Sequence, residues 1–263
     1  MSVTKFRECA LSDDLLGSII AAESIADKNE VFECLGNSTI LNYAVMQDMP
    51  GLVVALIEMG AGVDVKDNLG NTPLLIARRR NNVDLVKIIL SKGANVDLPG
   101  GEHDSTALYY SVLDRNKKMR DILLSAGANP NVSGNNLYIP LRLSILYQLE
   151  EQVSTLIKYG ADVNIKTKDG STPLHWAAQV PSPSIVKTLI ESGADVNGMD
   201  DSRVTPLMSA LIRLIGISQR DPEVLKILLE SGANIDHTDN SGRTPLSIAD
   251  DIGDETILLL LRK

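Results

Sequence analysis

Asp169-Gly170-Ser171-Thr172-Pro173-Leu174-His175-Trp176-Ala177-Ala178, closed fifteen residues later by Gly193-Ala194-Asp195-Val196-Asn197, is the stretch that decides the fold. Thr before Pro places a hydroxyl over the free N–H groups at a helix start and a ring with preset φ in the first turn. A helix therefore begins at Pro173. The run Val186-Lys187-Thr188-Leu189-Ile190-Glu191-Ser192 ends on Gly193, the residue that adopts a left-handed cap without penalty. A second helix therefore stops there. Stretches such as Asp162 to Gly170, rich in Asp, Asn, Lys and Gly, suit a turn that projects into water.

Both signals recur. Gly-Ala appears at Gly60, Gly93, Gly127, Gly160, Gly193 and Gly232, in steps of 33, 34, 33, 33 and 39 residues. Thr-Pro-Leu keeps the same beat at Thr72, Thr172, Thr205 and Thr244, with weaker forms at Thr39-Ile40-Leu41, Thr106-Ala107-Leu108 and Ile139-Pro140-Leu141. In five units the two markers lie 21 residues apart, so each unit is one fixed piece of structure: helix, turn, helix, protruding loop. The same offset applied backwards makes Thr4 to Ile25 a degenerate first unit, with Cys9 and Ala10 at its small-residue positions.

The pattern resembles the ankyrin repeat, from about Thr4 to Lys263. The resemblance implies an all-α solenoid of about eight stacked units with divergent terminal caps and short β-hairpin-like loops. The units are residues 1–32, 33–65, 66–98, 99–132, 133–165, 166–198, 199–237 and 238–263, read as one repeat domain over 1–263. One unit cannot bury its apolar face alone, and neighbours complete the core with residues such as Leu85, Val86, Ile88, Ile89 and Leu90.

Composition narrows the function. The net charge is −9, so the averaged field repels phosphate backbones and anionic lipid, which disfavours nucleic acid and membrane as partners. Cys9 and Cys34 are too few for a disulfide framework, and a reducing compartment follows. The first ten residues lack the apolar run of a signal peptide, and no segment reaches the length of a membrane helix. A cytoplasmic location is expected, or a host cytoplasm or nucleus for a secreted effector.

No catalytic constellation is expected. His175 is read as structural, since the resemblance implies that this residue bonds backbone between neighbouring loops. His103 and His237 lack a spaced second ligand, and Gly100-Gly101 lacks the spacing of a phosphate loop. No cofactor, metal or small-molecule substrate is therefore expected, and the chain is read as a monomer that binds another protein. The alternatives are an adaptor for a larger machine or a bacterial effector working through the same surface, with nucleic-acid binding through the Arg run a distant third.

The resemblance places partner contacts on the concave face, along the inner helices and loop tips. Arg78, Arg79 and Arg80 concentrate positive charge there, and Tyr109, Leu113, Tyr138, Arg142, Leu146 and Tyr147 gather on adjacent units. Tyr and Arg dominate binding energy at interfaces, so these nine residues are the expected partner-binding set, gripping an acidic and apolar segment. Tyr109 and Arg142 hold the place of His175. Three irregularities lie outside the repeat: the loop before Thr39 with Phe32, expected to cover the first unit's core edge; the weakened unit around Ile139, with its turn lost at 135–137; and an insertion near 214–220. The insertion is expected to lengthen the inner helix and to fold Leu214, Ile215 and Ile217 back on the stack.

Overall fold

The computed structural model describes residues 3–132, 139–215 and 222–262; Tyr138, the turn at 135–137 and positions 216–220 of the insertion, Ile217 included, lie outside them. The chain forms two compact units, Met1–Tyr138 and Ile139–Lys263. In the first, helices pair as α1 (Val3–Leu11) with α2 (Leu15–Glu23), α3 (Ile40–Met46) with α4 (Pro50–Glu58), α5 (Pro73–Arg79) with α6 (Val83–Ser91), and α7 (Ala107–Leu113) with α8 (Lys117–Ser125). In the second the pairs are α9 (Pro140–Leu146) with α10 (Glu150–Lys158), α11 (Pro173–Ala178) with α12 (Pro183–Glu191), α13 (Pro206–Leu214) with α14 (Glu223–Glu230), and α15 (Pro245–Ile252) with α16 (Glu255–Leu261). Thr4 is the second residue of α1, which pairs with α2.

The caps form as their chemistry requires. Thr72 Oγ1 accepts from the Leu75 N–H at 3.2 Å, Thr106 from Tyr109 at 3.2 Å and Thr205 from Met208 at 3.4 Å. Ile139 makes no such bond, as expected for the weakened unit. At the other end the glycines of the Gly-Ala series all have φ between 87° and 92°. That left-handed turn lets the following Ala reach back to the helix, for example Ala194 N–H to Leu189 O at 3.0 Å.

Inner and outer helices are buried to different extents, for a geometric reason. α5 packs on both α3 and α7, and α11 on both α9 and α13, so every residue from Pro73 to Arg78 and from Pro173 to Ala178 is buried. Outer helices have a wet side and bury one stripe: Leu85, Val86 and Ile89 of α6, Ile185, Val186 and Leu189 of α12. Ile88 and Leu90, expected in the core, are half-buried flanks of that stripe. Each fully buried aliphatic side chain contributes roughly 1.5–3 kcal/mol.

Polar ties join successive repeats along the loops. In the first unit Asn29 Oδ1 accepts from Gly62 N–H at 2.7 Å, Asp64 from Asn95 at 3.0 Å and Asp97 from Asn129 at 2.9 Å. In the second, Asn164 accepts from Asp195 N–H at 2.8 Å while donating to Gly193 O at 3.0 Å, and Asn197 repeats both bonds on Asn234 and Gly232 at 2.7 and 3.0 Å. The expected hairpin character reduces, among the described residues, to the isolated bridges Phe32–Ser38 and Gly100–Ser105.

The irregular parts resolve unevenly. Phe32 is only half-buried, whereas Leu35 and Phe6 at the first repeats are fully covered, with the Phe6 ring 6.3 Å from Tyr43. α13 spans nine residues against seven for α5, α7 and α9, so the inner helix is lengthened ahead of the insertion. Leu214 is buried there, while Ile215 is 45% exposed rather than folded back. Ile215 is the C-cap of α13 in extended backbone, so it leaves the helical face that covers Leu214.

His175 is 1% exposed and fully committed to structure. Its Nδ1 accepts from Thr172 N–H at 3.1 Å, and its Nε2–H donates to Val204 O of the next loop at 2.9 Å. This is the loop-to-loop bond that the resemblance implied. Burial pushes the imidazole pKa below its ordinary value, with the Val204 carbonyl opposing. The folded chain therefore binds fewer protons at this site than the unfolded chain. Stability from His175 is full above the ordinary histidine value and is lost as pH falls through it toward the lower folded value. The urea midpoint should drop between about pH 7 and about pH 5, and His175→Gln should flatten that dependence. Arg203, at φ 59°, occupies the turn position that Gly70, Gly170 and Gly242 hold in other repeats. Arg203→Gly should relieve that strain and stabilise the protein by about 1 kcal/mol, read as a higher melting temperature.

Candidate functional site

The nine expected contact residues divide between the two units. Arg78 and Arg79 end α5 and Arg80 caps it; Tyr109 and Leu113 lie on α7. In the other unit Arg142 lies in the first turn of α9, Leu146 ends that helix and Tyr147 caps it; Tyr138 lies outside the described residues.

The Arg run is not a uniform charged face. Arg79 and Arg80 are exposed, but Arg78 faces inward and is 8% exposed. Its Nη1 donates to Asp114 Oδ2, and its guanidinium carbon lies 4.9 Å from the centroid of the Tyr110 ring. Burial pulls the Arg78 pKa down and the Asp114 carboxylate opposes that shift. This is a correction to the expectation of three exposed arginines. α5 turns through 100° per residue, so only two of three consecutive side chains can face water when one side packs on α7.

Tyr109 is likewise withdrawn from solvent, at 5% exposure, with its ring 6.4 Å from His103 and 5.7 Å from Tyr110. The aromatic residue available beside Arg78 is Tyr110, which sequence reasoning passed over. Its hydroxyl donates to Gly100 O at 2.9 Å and accepts from His103 N–H at 2.9 Å, and the His103 ring stacks on it at 6.0 Å. The extra residue in Pro99-Gly100-Gly101 is the signal that could have found it. A Cβ on Gly100 would lie 2.1 Å from Gly70 O, so only glycine lets this loop close on its predecessor and place Tyr110's partners. Arg78, Arg79, His103, Tyr110, Leu113 and Asp114 line a cleft of about 270 Å³.

In the second unit the Arg142 guanidinium lies 5.7 Å over the Trp176 ring, a side chain only 6% exposed. Leu146 and Tyr147, at 39% and 47% exposure, stand beyond it at the end of α9. An exposed apolar and aromatic pair at the end of an inner helix is a surface that contact with another protein would dehydrate favourably. Among the described residues no helix is long and apolar enough to cross a membrane.

Comparison with known proteins fits this architecture. A family model described as ankyrin repeats (3 copies) matches residues 41–133 and 141–239. An ankyrin repeat protein of Fowlpox virus (strain NVSL) is 32% identical over 117 residues, covering 43% of this chain and 34% of the viral protein. An intracellular phospholipase A2 of Caenorhabditis elegans is 30% identical over 141 residues, 49% of this chain and 13% of that enzyme. The chain thus spans about a third or less of the curated relatives it matches. The crystal structure of the ankyrin repeat domain of Bcl-3, a member of the IkappaB protein family, superposes with a TM-score of 0.71 at 26% identity, covering 85% of this chain and 97% of that one. Ankyrin repeats generally mediate protein–protein interaction. With the repeat period, the helical pairs and a family model over most of its length in agreement, this chain belongs to the ankyrin-repeat family.

Proposed function

We propose that the chain is a non-catalytic module that binds a partner protein through the inner-helix side of its repeats, the side that the family resemblance makes concave. The observation that carries this reading is the exposure of Leu146 and Tyr147 at the end of α9, with Arg79 and Arg80 exposed at the matching end of α5. The remaining residues of the inner helices α3, α5, α7 and α9 are buried or half-buried, so the exposed apolar and cationic residues at the ends of α5 and α9 are not needed by the core. The partner is a segment with acidic and apolar character, contacting Arg79, Arg80 and Leu113 in the first unit; Arg142, Leu146 and Tyr147 offer a contact surface of their own on the second. Tyr109 supports that surface from beneath, and Arg78 lines the cleft within it.

A cytosolic place of action goes with this reading, since Cys9 and Cys34 are both unbridged. Catalysis has no part in it: the one histidine with a shifted pKa, His175, has both ring nitrogens engaged by backbone.

The test is affinity capture from cell lysate with the full chain and with an Arg79→Glu/Tyr147→Ala double variant. Wild type should retain a protein whose recovery falls about tenfold with the variant, while circular dichroism stays unchanged. Equal recovery with both would sink the placement. Retention of nucleic acid instead, removed by nuclease, would replace the protein-binding reading.

A further inference from the structure

We propose that the buried Arg78 guanidinium is a seat for a partner's Asp or Glu carboxylate, occupied in this structure by the chain's own Asp114. The proposal rests on the protein-binding reading and names the chemistry of one contact within it.

The seat is built before any partner arrives. The Arg78 guanidinium lies over the Tyr110 ring, and the Tyr110 hydroxyl is held by two hydrogen bonds with the 100–103 loop. A guanidinium fixed in this way loses little freedom on binding a carboxylate, which is what makes an arginine fork selective. The side chain is more than nine-tenths buried, and its Nε has no hydrogen-bond partner among the described residues. The adjoining cleft of about 270 Å³ has room for a carboxylate side chain, with Leu113 and Tyr110 to cover its methylenes.

The two partners of the ion pair are unequally placed. Arg78 is 8% exposed and Asp114 is 56% exposed. The cation cannot leave without vacating the core, whereas Asp114 can turn outward and regain its water. The carboxylate is therefore the exchangeable member. Attraction for an incoming acid is supplied by Arg79, exposed on the lining of the cleft, and by the exposed Arg80 that follows it. The turns that carry Arg80 and Arg115 are tied together, Asn116 Nδ2 donating to Asn81 Oδ1 at 2.8 Å. A phosphate fits less well, because its second charge would face Asp114 and Glu102 on the same cleft.

The probe is a fluorescein-labelled twelve-residue peptide of Glu-Glu-Leu repeats, titrated with the full chain by fluorescence anisotropy. Its Gln-for-Glu counterpart and an oligothymidine of the same length serve as comparisons. Asp114→Ala empties the seat and should tighten the Glu peptide about tenfold, while Arg79→Glu should weaken it about tenfold. Both substitutions are at exposed positions; a cooperative thermal melt establishes that each variant is folded, with Asp114→Ala melting lower because Arg78 loses its counter-charge. The proposal is overturned if folded Asp114→Ala binds the peptide no more tightly than wild type, if the Gln peptide binds equally well, or if oligothymidine binds more tightly than the Glu peptide. If the lysate partner is retained while Asp114→Ala leaves the peptide unchanged, the seat fails and protein binding stands. If no lysate protein is captured but the Asp114→Ala gain appears, the seat stands and the wider reading fails.

Discussion

A two-helix unit of about thirty residues cannot bury enough apolar surface to hold itself together, and everything else in this protein follows from that deficit. Inner helices within a unit are sandwiched by their neighbours, which is why α5 is buried from Pro73 to Arg78 and α11 throughout, while α6 and α12 bury one stripe. The interface between repeats must then be held in register. The asparagine and aspartate ties between successive loops do this, each satisfying a backbone N–H of the following repeat. His175 performs the same task one layer deeper, joining its own helix start to the next loop through its two ring nitrogens.

Because the repeat consumes most of the sequence, function is confined to positions where the repeat makes no demand. The ends of the inner helices are such positions. Nothing in the packing of α9 requires Leu146 or Tyr147 to be apolar, and nothing in α5 requires Arg79 or Arg80 to be cationic. Arg78 differs. It occupies a place in α5 that neighbouring side chains enclose, and its charge is tolerated because Asp114 and the Tyr110 ring compensate it. A charge buried in this way costs desolvation, so its persistence in an otherwise apolar helix marks it as more than a solubilising residue.

Much of the fold was legible in the residues. The period of the Gly-Ala series and of Thr-Pro-Leu fixed the helix starts and stops, because a capping hydroxyl and a left-handed glycine act locally and need no distant partner. Even the degenerate pair at Thr4 followed from the spacing, and α1 and α2 are where it implied. The candidate surface was less legible. Sequence grouped Arg78 with Arg79 and Arg80, and Tyr109 with the contact residues, because adjacency along the chain is visible and direction is not.

What the sequence determined by itself was the unit: its length, its two helices, its caps, and the family to which the chain belongs. Those are set by short-range steric and hydrogen-bonding preferences repeated in register. Only the tertiary structure decided which of three consecutive arginines would be buried, that Tyr110 rather than Tyr109 would stand over it, and that an aspartate 36 residues away would neutralise it. The reason is physical. Burial and ion pairing depend on what the adjacent repeat brings alongside each helix, and an inner helix seven residues long can turn any one of its side chains toward that neighbour only by turning the next one away.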